Sequence, residues 1–64
     1  MGFYLVVMMK ILVIDDDSSI NETLTELLED EGQEIVSAFD GVQGLKCFNA
    51  ESPDLVITDL IMPN

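Results

Sequence analysis

The chain has no histidine and no arginine, only two lysines, and a single cysteine. Without histidine, a serine-histidine-aspartate triad is excluded. With one thiol, Cys47, so are a Cys/His metal centre and any disulfide within the chain. A lone thiol fits a reducing cytoplasm, and Cys47 reads as a small buried apolar residue rather than a redox centre. The shortage of cations says more. Thirteen Asp and Glu stand against Lys10 and Lys46, a net charge of −11 at pH 7 over 64 residues. Such a chain has almost nothing with which to neutralise phosphates, so nucleic acid and anionic membrane surfaces are poor partners. Its complement is a divalent cation, Mg²⁺ or Ca²⁺, or a basic protein patch.

No apolar run reaches the roughly 20 residues of a membrane span. The longest, Phe3 to Ile14, is interrupted by Lys10. Its start has neither the basic region nor the small-residue cleavage site of a signal peptide. Met8 and Met9 suggest a translation start further in, and residues 1–9 separate as an apolar extension from 10–64. Repeats, linkers and low-complexity segments are absent. A hydrophobic content of 48% excludes a disordered tail. Yet 64 residues lie below the usual size of a self-sufficient core, so the chain is one domain at most, or part of one.

What is present alternates in period. Residues 3–14 read as a strand buried on both faces, with Lys10–Ile14 its core. Asp17, Ser18 and Ser19 offer helix N-cap chemistry, and Ser19-Ile20-Asn21-Glu22 matches a capping box. Ile20, Leu24, Leu27 and Leu28 fall on one helical face, and Gly32 is placed to stop the helix. Glu34 to Ala38 reads as a second strand, and Asp40-Gly41 as a turn that caps a second helix. Val42, Leu45 and Phe48 give that helix its apolar face, while Gly44 weakens it by about 1 kcal/mol relative to Ala. Ser52-Pro53 ends it, and Asp54 to Asp59 is a third strand. The βαβαβ order predicts a parallel α/β sheet with right-handed crossovers.

In such a sheet the C-terminal ends of the strands share one edge, where α/β folds bind their ligands. Asp15 and Asp16 follow the first strand and Asp59 follows the third, so their carboxylates converge. Adjacent carboxylates repel, and a hard divalent cation among them removes the conflict; Mg²⁺ suits one or two carboxylates, a carbonyl and waters. Asp17 reads as a cap rather than a ligand.

The segments KILVIDDDSS, AFDGVQGL and PDLVITDLIMPN together resemble the first half of a response-regulator receiver domain, a flavodoxin-like fold of strand order 2-1-3-4-5. The resemblance spans Lys10 to Asn64. It implies that Asp59 is the phosphoacceptor of a two-component phosphorelay and that the chain is not an enzyme. It implies that Asp16 ligates Mg²⁺ directly, Asp15 mostly through water, and the Ile61 backbone carbonyl completes the protein ligands. Pro63 would shape the loop after the phosphoacceptor, and a histidine kinase would be the partner. The family also uses a Thr or Ser after strand 4 and a Lys after strand 5; the sequence stops before both. The expectation is therefore a truncated receiver, sheet order 2-1-3, with impaired phosphotransfer. The alternatives are a non-signalling half-domain and a non-signalling metal binder. The outer edge of the third strand is expected to be bare, and a homodimer pairing Leu55 to Thr58 with its own copy would complete the sheet. Exchange of Phe3 to Met9 between copies is the competing arrangement.

Overall fold

The computed structural model describes residues 8–59. They form β1 (Lys10–Ile14), α1 (Ser18–Asp30), β2 (Glu34–Ala38), α2 (Gly41–Glu51) and β3 (Leu55–Thr58). The sheet order is β2-β1-β3 and both pairings are parallel. The expected strand over residues 3–9, the Ile61 carbonyl and Pro63 lie outside the described residues, except that Met8 and Met9 precede β1 without joining it.

β1 is central because only it is bonded on both edges. Ile11 stands opposite Ile35 on one side and Leu55 on the other, and Ile14 stands between Ala38 and Thr58. Ile11, Leu12 and Val13 are all but inaccessible to water, as a strand covered on both faces requires. The chain runs outward from β1 to β2, then back past β1 to β3. Right-handed crossovers in opposite directions put α1 and α2 on opposite faces. Contacts agree with this. Thr25 of α1 meets the Ser37 hydroxyl at 3.0 Å, whereas α2 packs on Ile14, whose neighbour Val13 is the register partner of Ser37.

The helix ends follow from their residues. Asp17 caps α1, its Oδ1 accepting from the Ser19 and Ile20 N–H groups at 3.0 and 3.2 Å. The capping box expected at Ser19 is not made, because Ser19 already lies inside the first turn. A reciprocal arrangement occurs at α2 instead: Asp40 Oδ1 accepts from the Gln43 N–H at 2.7 Å, and Gln43 Oε1 accepts from the Phe39 N–H at 3.0 Å. At the other end of α1, Gly32 has φ +88°. Its N–H donates to the Glu29 carbonyl and that of Gln33 to the Leu28 carbonyl, a complete Schellman motif.

At the N-terminal end of the sheet, Lys10 ties three elements together. Its backbone N–H donates to Asp54 Oδ2 at 2.9 Å, and its ammonium lies 3.2 Å from Glu51 and 3.6 Å from Glu34. The hydrogen bond that the Lys10 ammonium donates to Glu51 raises the Lys10 pKa above its ordinary value, with the Glu34 charge adding to it.

Two helical expectations fail in the same way. Ile20 and Leu27 are about half exposed or more, with only Leu24 and Leu28 partly covered, and the α1 residue that is buried is Asn21. On α2, Val42, Leu45 and Phe48 are exposed, and Gly44 is buried. The apolar periodicity is real, but each stripe is wider than the three-stranded sheet can cover among the described residues. Cys47, expected to be buried, is only partly so. Gly44 is not simply a weak helix former either. A Cβ there would sit 2.5 Å from Ile14 Cδ1 and 3.1 Å from its Cγ1. Because χ1 of Ile is stiff, the second contact cannot be relieved by rotating the tip alone.

Two stability measurements check these assignments. Asp17→Ala should cost about 1 kcal/mol in denaturant unfolding, and Ser19→Ala far less. Gly44→Ala should destabilise by about 1 kcal/mol, overpacking outweighing the helix propensity of Ala. In an Ile14→Ala background, which removes both contacts, the same change should become neutral or stabilising; an additive double mutant would show that Ile14 is not the obstacle.

Candidate functional site

The site is built where β1 and β3 end. Asp15 immediately follows β1, and its N–H donates to the Ala38 carbonyl at 3.1 Å, joining it to the end of β2. The Asp59 N–H donates to the Ile14 carbonyl at 3.3 Å, joining the end of β3 to the end of β1. These bonds continue the two parallel ladders by one residue, so the chain ends at fixed positions before it turns away. Carboxylate oxygens of Asp15, Asp16 and Asp59 then lie within 4.8 Å of one another. The convergence expected from the sequence is therefore present.

The three acids sit differently. Asp15 is buried, and its Oδ1 accepts the Asp17 N–H at 2.9 Å. Asp16 is exposed. Asp17 turns its carboxylate to the α1 amides, as a cap, and leaves the cluster. Two unit charges 4 Å apart repel by about 1 kcal/mol in water and by more where water is excluded. The arrangement favours anything that brings positive charge among the oxygens. The donors are all hard carboxylate oxygens, which suits Mg²⁺ or Ca²⁺ and not a soft metal. Lys10 stands at the opposite end of β1, engaged by Glu51 and Glu34.

One residue of the site was missed by sequence reasoning. Asn21 is buried, and its side-chain amide donates to the Asp15 carbonyl at 3.2 Å and the Ala38 carbonyl at 2.9 Å. In the sequence it passed as an interior position of a capping box. The available signal was an amide side chain near the start of the helix that follows the acids.

Comparison with known proteins bears on what such a site is for. The pattern of the response regulator receiver domain matches residues 11–64. The chain is 48% identical over 54 residues to a probable transcriptional regulator ycf27 of Porphyridium aerugineum, covering 84% of this chain and 22% of that protein. It is 43% identical over 54 residues to the alkaline phosphatase synthesis transcriptional regulatory protein PhoP of Bacillus subtilis, covering 84% of this chain and 21% of that one. A crystal structure of a response regulator receiver domain protein from Clostridium thermocellum superposes with a TM-score of 0.80 at 47% identity, covering 86% of this chain and 45% of that chain. The chain thus spans about a fifth of the length of these curated relatives. Since the family pattern takes in all but the first ten residues and a solved relative shares the fold, this chain belongs to the response regulator receiver domain family, whose members are regulatory modules of two-component signalling.

Proposed function

We propose that Asp59 is the phosphoacceptor of this receiver, with Asp15, Asp16 and the Ile61 backbone carbonyl holding Mg²⁺ beside it. The observation that carries the reading is the clustering of the three carboxylates within 4.8 Å at the C-terminal edge of the sheet. An oxygen of Asp59 attacks phosphorus and forms an aspartyl phosphate. The bond from phosphorus to the donor breaks, and the donor leaves with the electron pair. When bound, Mg²⁺ neutralises the charge of an anionic nucleophile meeting an anionic phosphoryl group. Receiver domains interact with histidine kinases, and a phosphohistidine of such a kinase is the proposed donor. In this reading residues 10–64 are the receiver unit and residues 1–9 an apolar extension. The protein acts in the cytoplasm as a phosphoacceptor and regulatory module, not as an enzyme. Among the described residues no helix is long and apolar enough to cross a membrane. The excess of 13 acids over two lysines argues against direct contact with nucleic acid or an anionic membrane.

These 64 residues contain no cations but Lys10 and Lys46. Lys10 is held at the far end of β1, and Lys46 lies on α2. Phosphotransfer to the isolated chain is therefore expected to be slow, since one missing charge-stabilising donor costs about 3 kcal/mol or more of transition-state stabilisation. Incubation with acetyl phosphate and Mg²⁺, followed by intact-mass measurement, should give slow addition of one phosphoryl group, lost in Asp59→Asn. Asp16→Asn should weaken Mg²⁺ binding by tenfold or more in a calorimetric titration. Labelling that survives Asp59→Asn would place the chemistry elsewhere.

A second reading, a self-assembling half-domain, is favoured by the outer edge of β3. Among the described residues β3 pairs with β1 alone, and Leu55 and Val56 are exposed. The Asp59 N–H bonds inward to the Ile14 carbonyl, so by alternation and register the N–H groups of Leu55 and Ile57 also face β1, and those of Val56 and Thr58 point to the open edge. Antiparallel pairing about a two-fold axis gives a six-stranded sheet, order 2-1-3-3′-1′-2′. It sends the two acidic clusters to opposite ends, where they do not repel. Sedimentation of the protein should show a dimer that Val56→Pro abolishes and that survives removal of residues 1–8. Loss of the dimer on that removal would favour N-terminal exchange instead, and a monomer at high micromolar concentration would refute both.

A further inference from the structure

We propose that Asn21 is a positioning residue for the acidic cluster, fixing the backbone at Asp15 and with it the angle at which Asp15 and Asp16 present their carboxylates. The inference rests on the cation-binding reading above and adds a residue to it.

Asn21 is 1% exposed, among the most deeply buried side chains of the described residues. A buried amide costs folding energy unless its hydrogen-bonding groups are matched, and here they are. Its Nδ2 bridges the carbonyls of Asp15 and Ala38, at 3.2 and 2.9 Å. Two carbonyl acceptors on one side of the amide fix its orientation, because only the NH₂ group can serve both. The Oδ1 side is met by the Thr25 hydroxyl at 3.4 Å, which in turn meets the Ser37 hydroxyl at 3.0 Å.

The consequence falls on Asp15. Its N–H is held by the Ala38 carbonyl, its carbonyl by Asn21, and its Oδ1 by the Asp17 N–H. Without Asn21 the peptide joining Asp15 to Asp16 loses the amide that holds its carbonyl and is free to rotate. That peptide carries Asp16, the exposed member of the cluster. Groups that orient metal ligands from behind typically change affinity by about 10- to 100-fold when removed.

The test is a Mg²⁺ titration followed by ¹H–¹⁵N NMR on the wild type, Asn21→Ala and Leu24→Ala. Leu24 lies on the same helix, partly buried and away from the cluster, so its truncation reports simple loss of α1 packing. Asn21→Ala should raise the Kd for Mg²⁺ by about tenfold or more. Leu24→Ala should leave it within about twofold, even where its denaturation midpoint falls as far. A measurement on the wild type covers the case in which Asn21→Ala does not fold. There the Asn21 side-chain amide resonances should shift with the same midpoint as the Asp16 backbone amide. An unchanged Kd in a folded Asn21→Ala, or Asn21 resonances that stay still while Asp16 titrates, overturns the assignment. A wild type with no saturable response to Mg²⁺ overturns the cation reading and this one with it, so the two failures are distinguishable.

Discussion

Hydrogen bonding of β1 on both edges is the constraint on which the rest of the molecule depends. A strand paired on one side alone can slide or fray at its end. β1 is registered residue by residue against β2 and against β3, so the positions of Ala38, Asp15 and Asp59 are set relative to one another by two ladders at once. The bonds from Asp15 to Ala38 and from Asp59 to Ile14 carry that registry one step past the strands. The buried triplet Ile11-Leu12-Val13 makes the registry costly to break, because a slip by one residue exchanges the two faces of the strand.

On that frame the placement of charge becomes intelligible. The sheet separates its charges by end. Lys10 gathers Glu34, Glu51 and Asp54 at the N-terminal end, where opposite charges neutralise one another near the surface. At the C-terminal end three carboxylates stand within 4.8 Å. Mutual repulsion there opposes folding, and it is tolerated because the backbone, not the side chains, holds the acids in place. Asp17 shows the contrast. It is next in sequence to Asp16, yet its charge faces the N-terminal amides of α1, where a negative group is stabilising. Three consecutive aspartates thus divide between a ligand-like cluster and a structural cap.

The apolar stripes of α1 and α2 make a different point. Each helix sets a small or polar residue, Asn21 or Gly44, against the sheet, and leaves larger side chains beside it only partly covered. Close approach at Gly44 brings α2 down onto Ile14, one residue before Asp15. Close approach at Asn21 brings α1 down onto the Asp15 carbonyl. Both helices therefore press on the end of β1 from opposite faces, at the point where the acids begin.

Much of this was legible in the sequence. Strands of period two or continuous apolar character, bounded by Asp, Gly and Pro, placed the second and third strands within a residue of their ends and the core of the first at Lys10–Ile14, and the alternation of elements dictated a parallel sheet. Parallel order alone brought Asp15, Asp16 and Asp59 to one edge, since strand direction needs no knowledge of side-chain packing. Which side of each helix faces the sheet was not legible. Periodicity locates an apolar stripe but not what covers it, and a narrow sheet meets only part of the stripe. The need for Gly44 and the burial of Asn21 each depend on a neighbour distant in sequence: Ile14 for Gly44, Ala38 for Asn21. Local composition determined the elements and the edge on which the acids stand. Only tertiary contact decided how closely the helices approach, and therefore how firmly those acids are held.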